Sequence, residues 1–245
     1  MDPARLRPLP NAGKFARMQH WKPRETPHLP PTRGHFVQLD RLDPERDADA
    51  LFAAIGADAN DDLWRFIPFG PFESAQALMG ILSFMVENQG WQTLVFRAPE
   101  TGRVLGMSSY MRIRPEAGSA EVGCVVFSKA LQKTPAATEA MFSMARHLFD
   151  DKGYRRYEWK CDNDNAGSRR AAARLGFSPE GVFRQDMVVK GRNRDTAWFS
   201  MLDREWPEVR TAFEQWLAPD NFDAGGRQKR SLSAIRDPLR AKGVS

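Results

Sequence analysis

Residues 121–139 decide the fold: Glu121-Val122-Gly123-Cys124-Val125-Val126-Phe127, a short loop, then Leu131-Gln132-Lys133-Thr134-Pro135-Ala136-Ala137-Thr138-Glu139. The first block, extended back to Ala120, is rich in β-branched residues and predicts a strand over 120–127. Thr134 then reads as an N-cap and Pro135 as the first residue of a helix running to about Asp150, with Ala137, Met141, Met144 and Leu148 on one face. A helix entered from a strand through a small-residue loop offers unpaired amides and the positive end of its dipole to an anion, and a pyrophosphate fits such a place. A merely well-capped helix reads the same way.

Working outward, the hydrophobic pattern predicts an earlier strand at Phe36–Leu39 and a helix opened by Pro44, with Ala48, Leu51, Phe52 and Ile55 at helical spacing. A turn-rich aromatic segment, 64–72, precedes a second helix from Ser74 to about Asn88. Strands follow at Trp91–Arg97 and Val104–Arg112, separated from each other and from 120–127 by Pro99-Glu100-Thr101-Gly102 and Pro115-Glu116-Ala117-Gly118. Downstream come a strand at 155–161, a helix at 168–175, strands at 181–190 and about 196–201, and an amphipathic helix over 203–217. The order β-α-α-β-β-β-α-β-α-β-β predicts an α/β fold with a mixed, mostly antiparallel sheet flanked by helices on both faces.

The chain has 245 residues, 42% hydrophobic and 27% charged, which excludes fibrous and wholly disordered classes. Its net charge of +5 lies in the ends: residues 1–34 carry +5 and residues 221–245 carry +4, so the body is −4. Seven of the 17 prolines fall in the first 34 residues, with Phe15, Met18 and Trp21 as possible anchors. Three segments are expected: a Pro-rich basic extension (1–34), one domain (35–220) and a basic tail (221–245), both ends loosely attached. A basic stripe interleaved with aromatics is absent from the body, which argues against a nucleic-acid partner. No apolar run reaches the length of a membrane span, and the start lacks a signal-peptide stretch, so the expected location is cytoplasmic. Cys124 and Cys161, with four scattered histidines, assemble no metal motif, so no metal is expected.

About thirty residues after the Thr134 cap, Asn165-Ala166-Gly167-Ser168-Arg169-Arg170-Ala171-Ala172-Ala173-Arg174-Leu175-Gly176-Phe177 leaves a strand and opens a second helix that stops at glycine. The two segments together resemble the GNAT N-acetyltransferases, whose acetyl-CoA loop reads Q/R-x-x-G-x-G/A and whose next motif reads N-x-x-S/A before a helix ending in G-F. Gln132, Pro135 and Ala137 fall on the loop positions; Asn165, Ser168, Gly176 and Phe177 fall on the second motif. Gly181, Arg184, Lys190-Gly191-Arg192 and Asp195 look like the branch related to ribosomal-protein alanine and serine N-terminal acetyltransferases. The resemblance covers about 35–206. It implies acetyl-CoA as cosubstrate and direct attack of a primary amine, on a protein N-terminus or a small molecule, at the thioester.

The implied cofactor contacts are the backbone around Val125 and Phe127, the loop Gln132, Lys133, Thr134, Ala136, Ala137 and Thr138, then Asn165 and the arginines Arg170 and Arg174. Pro135 stands where the family has a loop glycine, which removes one amide from the cradle. Glu121 is the candidate general base: strand parity places it with Gly123 and Val125, Gly123 leaving room for the amine, and Cys124 on the other face. Ser168 is the candidate proton donor to the thiolate, or an N-cap. Ala172 occupies the position where some members carry a tyrosine acid, so no tyrosine acts there. Trp64, Phe66, Phe69 and Phe72 are candidate acceptor-site walls, or core. The acidic body suits a cationic acceptor. The alternative is a non-catalytic CoA-binding or protein-interaction module on the same fold.

Overall fold

The computed structural model describes residues 21–242. Phe15 and Met18, proposed as anchors, lie outside them. The elements, in chain order, are β1 (Thr32–Arg33), β2 (Gln38–Arg41), α1 (Pro44–Leu51), α2 (Ala75–Gln89), β3 (Gln92–Arg97), β4 (Val104–Arg114), β5 (Ser119–Phe127), α3 (Pro135–Arg146), β6 (Arg156–Asp162), α4 (Ala166–Leu175), β7 (Ser178–Val189), β8 (Arg192–Leu202), α5 (Trp206–Leu217) and α6 (Leu232–Lys242). The eight strands form one sheet in the order β1-β2-β3-β4-β5-β6-β8-β7. Only β5 and β6 run parallel; every other pairing is antiparallel. No described helix is long and apolar enough to cross a membrane.

Alternation along the strands splits the apolar residues between two faces. Ala120, Val122, Tyr157 and Trp159 join the larger core with Met141, Met144 and Phe213 of α3 and α5. Val95, Met107 and Val126 join a smaller core with Leu51, Leu78 and Leu82 of α1 and α2. Each face thus packs its own helix layer, as a two-sided sheet requires. α3 is shorter than expected: after Arg146 the chain makes a π-helical turn over 147–151, where His147 Nδ1 bonds Asp151 Oδ2 at 2.8 Å.

The described parts of both ends, 21–34 and 221–242, depart from the loose attachment expected of them. Trp21 donates Nε1 to the Glu116 carbonyl (2.8 Å), with the Arg24 guanidinium 4.5 Å over its ring. Its ring lies against Gly118, whose φ of +60° suits glycine and where an added Cβ would sit 2.3 Å from the indole. Farther on, the Glu139 carboxylate of α3 accepts the amides of His35, Phe36 and Val37 at 2.9, 2.6 and 2.9 Å, fixing the turn into β2. At the other end, α6 buries Leu232 and Ile235 in the larger core. Arg236 donates to the carbonyls of Ala173 and Arg174 at 2.9 and 2.8 Å, capping the exit of α4. Basic composition hid an amphipathic helix there: positive charge on its exposed face says nothing about the buried one.

Candidate functional site

β6 pairs with β5 only as far as Val122↔Trp159; from Lys160 to Asp162 it pairs with β8 alone. The two central strands therefore part, and the β6-side edge of 123–127 has no strand beside it. Burial follows: 119–123 are buried, whereas Cys124, Val125 and Phe127 are partly buried, each packed on a core by its side chain. At the parting point β5 carries a bulge, with a register shift opposite Met107/Ser109 and Cys124 at φ +48°. The extra residue inverts the strand's parity. Val125 turns to the larger core and Cys124 to the smaller one, on the side of Glu121, which corrects the alternation expected from sequence. Burial raises the Cys124 thiol to about 12, so it is no nucleophile near neutrality.

The loop from Ser128 feeds α3 through a tight turn. Thr134 is the N-cap: its Oγ1 accepts the Ala137 amide (3.3 Å) and donates to the Leu131 carbonyl (2.6 Å). The Thr134 amide donates to the Leu131 carbonyl, so two of the loop amides expected to hold phosphates, those of Thr134 and Ala137, serve the turn itself. Lys133, at φ +61°, and Ala136 remain for an anion. Gln132 is drawn back by its Nε2 to the Phe127 carbonyl (3.0 Å), tying the loop to the strand end. Thr138 accepts from Arg174 Nη1 at 3.0 Å, and the Arg174 guanidinium lies 5.0 Å from the Trp216 ring. Arg174 is thus held against the first turn of α3, and burial lowers its pKa, followed by the charge of Arg236. Arg170, four residues earlier, is exposed.

On α4 the cap is Asn165, whose Oδ1 accepts the Ser168 amide at 3.0 Å. Ser168 is therefore not the N-cap. Its Oγ accepts from Trp159 Nε1 at 2.9 Å, which leaves the hydroxyl proton to donate. It also neighbours Cys161, whose thiol is raised by burial, with the Ser168 hydroxyl the first influence opposing that rise. Ala172 is fully buried, so the space a tyrosine would need is filled by core.

Glu121 is buried, and Oε2 is taken by two cations: Arg112 Nη1 at 2.9 Å and Lys160 Nζ at 2.9 Å. Oε1 lies over Gly123, 3.3 Å from where a Cβ there would begin. The space beside Gly123 is not left for an amine, because the Met111 thioether occupies it, 2.2 Å from such a Cβ. Lys160 also meets Glu158 Oε2 at 2.9 Å. Glu158 in turn takes Arg114 Nη2 (2.6 Å) and Arg156 Nε (2.8 Å), and Arg156 reaches Glu180. The sequence signal was present in Arg156-Tyr157-Glu158-Trp159-Lys160-Cys161, charges alternating with apolar groups, but such alternation ordinarily marks a solvated face. Here Glu121, Glu158 and Lys160 are each under 5% exposed. Counted with Arg112, Arg114, Arg156 and Glu180, the cluster carries four cations and three carboxylates, a net +1 against the acidic average of the body.

Of the four aromatic wall candidates, two are core. Trp64 is fully buried, donating Nε1 to the Ile55 carbonyl at 2.6 Å, and Phe72 packs edge-on against it. Phe69 is half-buried between Trp64 and Trp91, and Phe66 is partly exposed beneath the Arg65 guanidinium. Lys190, at the β7–β8 turn, donates Nζ to the Trp64 carbonyl at 2.8 Å and tethers the hairpin to the segment between α1 and α2, a contact that the sequence did not foretell. Among the described residues no group of three or more His, Cys, Asp or Glu is placed to hold a metal ion.

Comparison with known proteins gives a consistent picture. Residues 37–178 match the family described as acetyltransferase (GNAT) domain. A crystal structure of a GCN5-related N-acetyltransferase from Brucella melitensis is similar at 41% identity and TM-score 0.85, covering 90% of this chain and 100% of that one. The Bacillus subtilis protein named uncharacterized N-acetyltransferase YoaA is 26% identical over 175 residues, 68% of this chain and 96% of that protein. A Vibrio cholerae spermidine N-acetyltransferase, solved with CoA and spermine, shares the fold at 15% identity, with TM-score 0.58 over 69% of this chain and 97% of that one.

Proposed function

From the premise that the chain belongs to the GNAT family of acetyl-CoA-dependent N-acetyltransferases, we propose that it acetylates a primary amine, a protein N-terminus or a small amine, entering from the α1–α2 side of the sheet in the cytoplasm. The observation that carries the reading is the parting of β5 from β6 beyond Val122↔Trp159 directly before the Thr134-capped helix. The pantetheine arm lies along the open edge of β5, replacing the missing strand, and amides from Val125 to Phe127 bond it and the thioester carbonyl. The amides of Lys133 and Ala136 and the Lys133 charge take the pyrophosphate, with Arg174 held beside them. Asn165 shapes the β6–α4 turn rather than touching the cofactor.

The amine nitrogen attacks the acetyl carbon, the C–N bond forms and the C–S bond breaks. An ammonium first gives one proton to solvent; Ser168 then gives its hydroxyl proton to the departing thiolate, and the second N–H proton passes through water to restore the serine. Positioning supplies most of the acceleration, since the open edge and the tethered hairpin fix both reactants.

Isothermal titration of acetyl-CoA into the full chain, followed by a thiol-release screen over peptides with free N-termini, polyamines and amino acids, tests this. Saturable binding with thiol release on one acceptor class is expected. Binding without release on any amine would favour the non-catalytic module, and no binding would refute the site.

A further inference from the structure

Arg174 is a cation without a counter-ion, placed where an anion belongs. Its Nη1 donates to Thr138 Oγ1 at 3.0 Å, and its guanidinium carbon stands 5.0 Å over the Trp216 ring. Among the described residues no carboxylate pairs with it, and the charge that acts on it is that of Arg236, of like sign. Arg236 meets only the exposed Asp237 carboxylate, at 3.1 Å, so the three side chains together leave one positive charge. An arginine grips an oxyanion best through Nε and one Nη, side by side. In Arg174 the edge made by Nε and Nη2 has no acceptor among the described residues, and the side chain is partly exposed. Thr138 lies in the first turn of α3, so this edge stands at the helix end that offers Lys133 and Ala136 to an anion.

The segment after α5 fixes Arg174 in that place. The two carbonyls that Arg236 of α6 binds are those of Ala173 and of Arg174 itself, which sets the backbone from which the guanidinium extends. Trp216 is fixed in turn: Nε1 donates to Gln228 Oε1 at 2.8 Å, and its carbonyl accepts Asn221 Nδ2 at 3.0 Å. Phe222 packs edge-on against Trp216 and Phe36, with ring centroids 5.3 and 5.8 Å away. Phe36 is itself held by Glu139, the residue after Thr138. The basic end of the chain thus folds back onto the first turns of α3 and presents a fixed guanidinium there.

We propose that this carboxy-terminal segment completes the cofactor site: Arg174 takes a phosphate of the nucleotide end of CoA through Nε and Nη2, and Arg236 and Trp216 are positioning residues that hold it for that contact. This deepens the acetyl-CoA reading and rests on it. CoA carries its phosphates in two places, the pyrophosphate and the ribose, and both present the same oxyanion chemistry to a guanidinium.

The test uses the full chain, wild type and Arg174→Met, Arg236→Met and the Arg174→Met/Arg236→Met double variant. CoA and dephospho-CoA, which lacks the ribose phosphate, are titrated calorimetrically. Acetyl-CoA and the phosphate-free donor acetylpantetheine are compared by thiol release with an amine that the wild type accepts. Arg174→Met should weaken CoA by roughly 10- to 100-fold, the size of a lost charge-assisted pair, and raise the acetyl-CoA KM accordingly while kcat stays within about threefold. Arg236→Met should weaken CoA by about three- to tenfold, and the double variant should bind within about twofold of Arg174→Met, since Arg236 acts through Arg174. With acetylpantetheine, kcat/KM should stay within about threefold of wild type throughout, because no phosphate is there to lose. A loss that disappears on dephospho-CoA assigns Arg174 to the ribose phosphate, and an equal loss on both ligands assigns it to the pyrophosphate.

CoA affinity equal to wild type in Arg174→Met would overturn the proposal. So would a loss on acetylpantetheine as large as that on acetyl-CoA, which would make the arginine a structural support only, or additive losses in the double variant. Wild-type protein that binds no CoA, or turns over no amine, refutes the parent reading instead. Should Arg236→Met not fold, Gln228→Leu, which frees the Trp216 indole, carries the same comparison, and CoA affinity equal to wild type there would count against the segment's role.

Discussion

Replacing Glu158 by glutamine should make the protein's acid sensitivity measurably smaller. Burial alone would raise this carboxyl, but hydrogen bonds from Arg156 and Lys160, with the charges of Lys160 and Arg114, override it and bring it from 4.5 to about 2. The difference corresponds to about 3 kcal/mol of native-state stability. Because the folded value is the lower one, that contribution is complete above the unfolded value of 4.5 and is lost as pH falls toward 2. About 2 kcal/mol of it should be gone by pH 3. Glu158→Gln has no proton to take up, and at pH 7 it leaves three cations around a neutral amide, at a cost of about 3–5 kcal/mol. Urea unfolding followed by tryptophan fluorescence at pH 7, 5, 4 and 3 gives the stability difference between variant and wild type at each pH. The difference should be largest at pH 7 and shrink by about 2 kcal/mol at pH 3. A difference constant with pH would refute the reasoning, because it would mean that Glu158 is not held ionised by its partners.

Glu139→Gln should cost about 2–4 kcal/mol in thermal or chemical denaturation, since an amide nitrogen would face backbone N–H donors now held by carboxylate oxygens; a loss below about 0.5 kcal/mol would mean that the turn before β2 rebinds water freely. Lys190→Met releases the β7–β8 hairpin from the Trp64 carbonyl and should raise the acceptor KM about three- to tenfold. Acetyl-CoA affinity in that variant should stay unchanged, and a weakened titration would place the tether on the cofactor side. Cys124, its thiol raised to about 12 by burial, should resist iodoacetamide at pH 8 when followed by mass spectrometry; alkylation within minutes would show that the bulge opens.

Much of the layout was legible because the sequence keeps strict periods: Ala137, Met141, Met144 and Leu148 mark the core side of α3, and turn residues separate β3, β4 and β5. Caps were partly legible. Thr134 announced itself through the following proline, whereas Asn165 and Ser168 are both good caps three residues apart and only the geometry chose between them. The bulge at Cys124 was not legible, since one extra residue in a β-branched run leaves no compositional mark, yet it reverses which face Val125 joins. Nor was the state of Glu121, because its partners come from residues 9 and 39 positions away in the chain, one on an antiparallel neighbour and one on a parallel one. Charge averaged over the body pointed to a cationic acceptor; local pairing sets a different field, and averages carry no information about it.

The order β6-β8-β7 also bears on how the molecule is made. As the chain leaves the ribosome, β7 emerges before the strand that separates it from β6, so it has no partner in the sheet until residues 192–202 have followed. Until then β6 shows a bare edge on the side away from β5, and Lys160 lacks the Trp198 ring that screens it. The β7–β8 side of the sheet is therefore assembled last, by insertion of one late strand between two earlier ones, after the Ser128–Thr134 loop and α3 are already in place. A nascent chain halted before 192 would carry the capped helix α3 and its loop without the strand that joins β7 to the rest of the sheet.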